Sequence, residues 1–152
     1  MEIVIRKAIQ KDIDILHEFE LGIIETERPL DPTLRRDPYH YYNLPEMLED
    51  ENAAIYVAEV NGKIVGSSNV AVKESKHYNN ISHYAYIGLI YVVPEYRGKN
   101  IVHQLMDVIK EWSLSKGINE MRLMVYDKNT SAVKSYEKYG FEKNLMEMRM
   151  EI

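Results

Sequence analysis

Ile87-Gly-Leu-Ile-Tyr-Val-Val-Pro-Glu-Tyr-Arg-Gly-Lys-Asn-Ile-Val102 decides the fold of this chain. A β-branched apolar run stops at Pro94, turns through Arg97-Gly98-Lys99-Asn100, and opens into a segment with helical apolar spacing. A strand that enters a helix through such a turn leaves the first backbone N–H groups of the helix without intrahelical acceptors. They converge at the positive end of the helix dipole, which makes the turn an anion site suited to phosphate. Gly98 lets the backbone approach closely, and Arg97 and Lys99 add positive charge. A tight β–α connection carrying two solvated basic side chains is the plainer alternative for this segment by itself.

The same alternation of patterns extends on both sides. Upstream, Glu2 to Arg6 alternates as a strand, and Ile13, Leu16, Phe19 and Ile23 follow at helical spacing after Asp12, a residue suited to capping. Pro29, Pro32, Pro38 and Pro45 interrupt the next stretch, which predicts a long loop ending in a short helix through Met47 and Leu48. Ala53–Val60 and Lys63–Val72 flank Asn61-Gly62, the strongest short hairpin signal. A further strand from about Ser82 to Val93 leads into the phosphate turn. Downstream, Val102, Leu105, Met106, Ile109 and Trp112 mark the apolar face of a helix that Gly117 ends. Glu120 to Tyr126 reads as a strand, Asn129 or Thr130 starts another helix closed by Gly140, and Phe141 to Ile152 reads as a final strand or hairpin. Strands and helices in this order predict a mixed α/β domain, residues 1–152, with helices on both faces of one sheet.

Bulk properties narrow the function. A length of 152 residues, 45% apolar and 28% charged, fits one globular domain. A net charge of −5 argues against a nucleic-acid partner. The longest apolar run, Ile87 to Val93, is far too short to span a membrane, and no secretory signal is visible, so a cytoplasmic location is expected. The chain has no cysteine, which excludes disulfides, thiolate metal sites and a cysteine nucleophile. The five histidines show no metal-ligand spacing, and no metal is expected.

The strand, the Pro-Glu-Tyr-Arg-Gly-Lys turn and the helix together resemble the acetyl-CoA motif of the GNAT N-acetyltransferase superfamily, Gln/Arg-x-x-Gly-x-Gly/Ala. Arg97 fills the first position, whereas Asn100 and Val102 stand where the family has small residues. Asn129-Thr-Ser-Ala132-Val-Lys-Ser-Tyr136-Glu-Lys-Tyr-Gly140-Phe141 matches the family's second signature, Asn-x-x-Ala-x-x-x-Tyr-x-x-x-Gly-Phe, at every fixed position.

The resemblance implies a mostly antiparallel sheet of about 6–7 strands with about four helices, splayed between the fourth and fifth strands. It implies acetyl-CoA as co-substrate, held by Ile90, Tyr91, Val92, Val93, Arg97, Gly98, Lys99, Asn100, Ile101, Val102 and Asn129, with Tyr136 as both a CoA contact and the acid for the leaving thiolate. The family's frequent glutamate base would fall at or near Tyr86 and Gly88, where this chain has no carboxylate. Water relayed by Tyr86, His83, or a carboxylate from the first loop remain as alternatives, Glu25 preferred over Glu27. The expected reaction is direct transfer to a small-molecule or peptide amine. An acyl-CoA-binding or sensing domain with little or no turnover is the second reading, motivated by the replaced glycines and the missing strand carboxylate. Family members often dimerise, and a homodimer is left open.

Overall fold

In the computed structural model, which describes residues 1–152, five strands form one sheet in the order β1-β2-β3-β4-β5. They are β1 (Val4–Lys7), β2 (Ala53–Val60), β3 (Lys63–Glu74), β4 (His83–Val92) and β5 (Met121–Arg122). The first three pairings are antiparallel, and β4 pairs with β5 in parallel. Four α-helices accompany them: α1 (Ile13–Glu27), α2 (Leu44–Glu49), α3 (Ile101–Ser115) and α4 (Thr130–Tyr139).

Local chemistry places most of these elements. The β2–β3 hairpin turns through Asn61 and Gly62 with φ of 51° and 76°, the left-handed pair that matches strand twist. The Asn43 side chain accepts the Glu46 N–H at the start of α2, and Pro45 occupies the first turn, where no N–H is missed. Asp12 does begin α1, but its carboxylate is not the cap. It bonds Arg6 and the Ile9 N–H instead, tying β1 to the turn before the helix.

Two apolar clusters sandwich the sheet. Leu105, Met106, Ile109 and Trp112 of α3 pack on one face against Ala54, Val65, Val70 and Ile87. Leu16 and Phe19 of α1 and Leu44 of α2 pack on the other against Ile55, Val57 and Leu89. Each fully buried side chain of this size contributes roughly 1.5–3 kcal/mol. Because both faces are covered, β2 is buried almost throughout and does not alternate.

The sheet has five strands where six to seven were expected. The strand expected from Glu120 to Tyr126 is only Met121–Arg122, and Phe141 to Ile152 forms no strand at all. The sequence of this tail alternates, with Met146, Met148, Met150 and Ile152 on one side, yet no neighbouring strand offers it a hydrogen-bond ladder, and these side chains are largely exposed. Alternation alone cannot make a strand without a partner. β5 pairs with β4 only at Ala85 and Tyr86 and ends there, so from Ile87 onward β4 has no partner strand on that side. This unpaired edge lies where the resemblance implied a splay between the fourth and fifth strands, and it positions the site.

Candidate active site

β4 breaks its own regularity along this unpaired edge. Ser67 pairs with Tyr91 and Asn69 with Gly88, so Leu89 and Ile90 oppose Ser68 alone. This is a β-bulge, and Leu89 takes a left-handed φ of 52° to form it, an unusual conformation for a residue with a bulky side chain. Two buried serine hydroxyls hold the bulge from behind. Ser67 donates to the Leu89 carbonyl at 2.8 Å, and Ser68 donates to the Gly88 carbonyl at 3.1 Å. The Leu89 N–H points the other way and donates to the Tyr42 hydroxyl at 3.1 Å.

Tyr42 therefore stands where a side chain from position 88 would project. A Cβ built on Gly88 would lie 2.1 Å from the Tyr42 hydroxyl oxygen. In place of a strand carboxylate, the chain puts a phenol from the first loop there. Burial pushes that phenol up to about 12, so it is a neutral donor and acceptor at physiological pH.

A carboxylate stands at the end of α1. Glu27, the last residue of α1, accepts a hydrogen bond from the Tyr41 hydroxyl at 2.6 Å, and burial raises its pKa above the ordinary glutamate value. Its charge also helps to raise the phenols of Tyr42, Tyr86, Tyr126 and Tyr136, after burial in each case. Glu25 is placed differently. Its side chain is 60% exposed and paired with Arg28 at 3.2 Å. His83, at the start of β4, is exposed and bonded to Ser82.

Tyr136 is half-buried on α4, edge-on to Phe141, with ring centroids 6.2 Å apart. Burial first, then the charges of Glu27 and Tyr42, push its phenol up to about 12. Asn129 caps α4, with its side-chain oxygen accepting the Ala132 N–H at 3.4 Å. The side-chain NH2 group is not used in that cap.

At the phosphate turn, Gly98 has φ 75° and Asn100 has φ 64°, ψ 19°. Asparagine tolerates this left-handed geometry better than most side chains, so Asn100 keeps the turn that glycine would otherwise supply. The first helical bond of α3 runs from Gln104 N–H to the Asn100 carbonyl, which places the N–H groups of Ile101, Val102 and His103 ahead of it. Ile101 is buried, and Val102 packs its side chain against the α3-side core. Arg97 is fixed beside the turn: its Nε donates to the Val92 carbonyl at 2.9 Å, and its guanidinium lies 5.6 Å from the Tyr91 ring centre. Tyr91 in turn packs on Phe19 at 4.8 Å between centroids and over Gly22, where a Cβ would meet its ring at 2.7 Å. Lys99 lies over Tyr96 at 5.1 Å. Ile90 and Val93 are half-buried against the α3-side core.

Thus the expected donor-side residues Ile90 to Val102 form one continuous path from the bulge to the start of α3. No sequence pattern sets Tyr42 at the bulge, because the contact joins positions 47 apart in sequence. Only the cluster Tyr39-His40-Tyr41-Tyr42 hinted at it.

The arrangement has relatives. The chain is 25% identical over 108 residues to an aminoglycoside N(6')-acetyltransferase type 1 of Salmonella typhimurium, covering 70% of this chain and 74% of that one. It is 33% identical over 113 residues to an acetyltransferase of Pectobacterium atrosepticum, covering 71% and 74% respectively. A solved "predicted acetyltransferase with acetyl-CoA" of Clostridium acetobutylicum has the same fold, with a TM-score of 0.77 at 21% identity over 99% of this chain and 96% of that one. The sequence model of the Acetyltransferase (GNAT) family matches residues 21–141, which include the bulge, the phosphate turn and Tyr136. The chain belongs to the GNAT acetyltransferase family.

Proposed function

We propose that the protein moves an acetyl group from acetyl-CoA directly to a primary amine on a small cationic acceptor, in a ternary complex. The observation that carries this reading is the bulge of β4, where the Leu89 N–H holds the hydroxyl of Tyr42, whose loop neighbour Tyr41 bonds the Glu27 carboxylate. The relationship to an aminoglycoside acetyltransferase supports a polyamine-like acceptor, because Glu27 and the aromatic faces of Tyr41 and Tyr86 suit a cation.

The pyrophosphate of the donor sits on the N–H groups at the start of α3, with Arg97 and Lys99 adding charge. Asn129 offers its free NH2 to the pantetheine arm, and the edge of β4 from Ile90 to Val93 lies along it. At the bulge, the Tyr42 hydroxyl, held in place by the Leu89 N–H that it accepts, is the preorganised donor for the thioester oxygen as it gains charge.

The acceptor ammonium first loses a proton to Glu27, whose raised pKa makes it a stronger base than an ordinary glutamate. The neutral amine then attacks the thioester carbon. The C–N bond forms, the C–S bond breaks, and Tyr136 gives its phenolic proton to the departing thiolate. The proton that the acylated nitrogen sheds returns to Tyr136, leaving a neutral amide and free thiol. Glu27 replaces Glu25 as the base, because Glu25 is exposed and held by Arg28. Tyr86, whose phenol feels the Glu27 charge, is kept as the relay for water.

Release of free thiol from acetyl-CoA across a panel of aminoglycosides, polyamines and amino acids tests the reaction. Tyr136→Phe lowers turnover by roughly 10²–10⁴-fold if the phenol is the acid. Full turnover in that variant removes Tyr136 from the mechanism. No thiol release with any amine, alongside retained CoA binding, favours the sensing role over transfer.

A further inference from the structure

We propose that His17, Glu20 and His40 form a binding site for a divalent transition-metal ion of the zinc type, which clamps the first loop onto α1. Metal-ligand spacing was not visible among the histidines, because the site is assembled from a helix and a loop that the fold brings together. His17 and Glu20 lie three residues apart on α1 and share a face. His40 comes from the loop, and the potential ligand atoms of all three lie within 4.8 Å of one another. The two imidazole rings are 4.8 Å apart between centroids.

Glu20 gives the cluster its character. It is 1% exposed, and His40 is its only ion-pair partner, with no lysine or arginine on it. A buried carboxylate is costly unless a cation or several donors compensate it. One oxygen, Oε2, is already committed to the backbone N–H groups of Tyr41 and Tyr42, at 2.9 and 3.1 Å. The other, Oε1, faces the His40 Nδ1 at 2.5 Å. Two imidazoles and one carboxylate oxygen are a ligand set for zinc-type ions, with a fourth position left to water. Ligand atoms in such a shell stand about 3.3 Å apart for bonds of about 2.0–2.1 Å. Reaching that spacing requires His40 to open away from Oε1 and His17 to close in. The His40 side chain is 61% exposed, so its ring has room to turn.

The clamp reaches the catalytic end of the loop through the same carboxylate. Glu20 holds the amides of Tyr41 and Tyr42, and the Tyr42 hydroxyl accepts the Leu89 N–H. Metal bound to Oε1 therefore fixes the segment that carries Tyr42. The binding claim does not depend on which amine the enzyme acetylates.

The test uses full-length protein with no affinity tag, titrated with Zn2+ by calorimetry and with Co2+ by visible spectroscopy. One equivalent binds, and Co2+ gives the intense d–d bands of a low-coordinate nitrogen and oxygen site. His17→Ala and His40→Ala, both on partly exposed positions that leave the core intact, each weaken binding by more than about tenfold. His83→Ala leaves it unchanged. Zn2+ also slows hydrogen exchange at the Tyr41 and Tyr42 amides. Absence of saturable binding, or binding that survives both His17→Ala and His40→Ala, overturns the site. Unaltered exchange at those two amides in the metal-loaded protein overturns the clamp.

Discussion

Replacing Gly88 by alanine puts a methyl group into space already filled by Tyr42. The added Cβ would stand 2.1 Å from the Tyr42 hydroxyl oxygen, 2.7 Å from its Cζ and 3.0 Å from Asn69 Oδ1. Asn69 is 2% exposed and cannot retreat into solvent, so Tyr42 must move. Overpacking of this kind costs about 1–3 kcal/mol. Losing the bond from the Leu89 N–H adds about 0.5–1.5 kcal/mol. Together they give a loss of about 1.5–4.5 kcal/mol, or a fall in Tm of roughly 3–18 °C for a domain of this size. Tyr42→Phe keeps the ring and forfeits only the hydrogen bond, so it should cost about 0.5–1.5 kcal/mol. Tyr42→Leu removes the outer ring atoms and makes room for the methyl. In thermal melts, Gly88→Ala should then be far milder in the Tyr42→Leu background than alone. If Gly88→Ala leaves Tm unchanged, or the double variant is additive within about 0.5 kcal/mol, the proposed exchange of a strand side chain for Tyr42 is wrong.

Three further expectations follow from the site. Glu27→Gln should lower kcat/KM by roughly 10²–10⁴-fold and abolish the acid limb of the pH profile, whose midpoint should lie above the ordinary glutamate value because burial raises Glu27; an equal loss in Glu25→Gln would contradict the assignment. Asn100→Gly should retain CoA affinity by calorimetry, whereas Asn100→Val forces a branched side chain to φ 64° at a cost of about 1–2 kcal/mol and should weaken binding; equal affinities would refute the role of the left-handed turn. Asp31 is held well below the usual carboxylate range, chiefly by the Thr33 hydroxyl and by Arg149, so its stabilisation is complete above the unfolded value and is lost as pH falls through the depressed one. The Tm difference between the parent protein and Asp31→Asn should accordingly be largest near neutral pH and shrink in strong acid; a gap that widens on acidification would reverse the sign.

The donor half of the site was legible because its chemistry is local. A turn of Arg-Gly-Lys-Asn before a helix, and the Asn129 to Phe141 signature, each use residues within a short span. The Asn-Gly hairpin and the Pro45 helix start were legible for the same reason. Acceptor-side chemistry was not, because it depends on where the loop after Glu27 crosses the sheet. Glu25 and Glu27 sit two residues apart near the end of α1, on different sides of the helix, and sequence could not say which side meets the cleft. The same crossing sets Tyr42 on Leu89 and His40 on Glu20, contacts spanning 47 and 20 residues. The failed reading of Phe141 to Ile152 has a related cause. Alternation defines a face, whereas strand formation needs a neighbour's free backbone edge.

Asp31 ties the acceptor-side loop to distant chain. Its carboxylate accepts the Tyr126 hydroxyl at 2.9 Å and the Arg149 guanidinium at 3.0 Å, bonds that reach 95 and 118 residues along the sequence. Early in synthesis, therefore, the loop that carries Tyr41 and Tyr42 has only its local Thr33 contacts at this aspartate. It gains its full set of bonds only after residue 149 has left the ribosome. A nascent chain can complete the hairpin and the phosphate turn long before that point, so the pyrophosphate end of the donor site precedes the last ties of the acceptor-side loop.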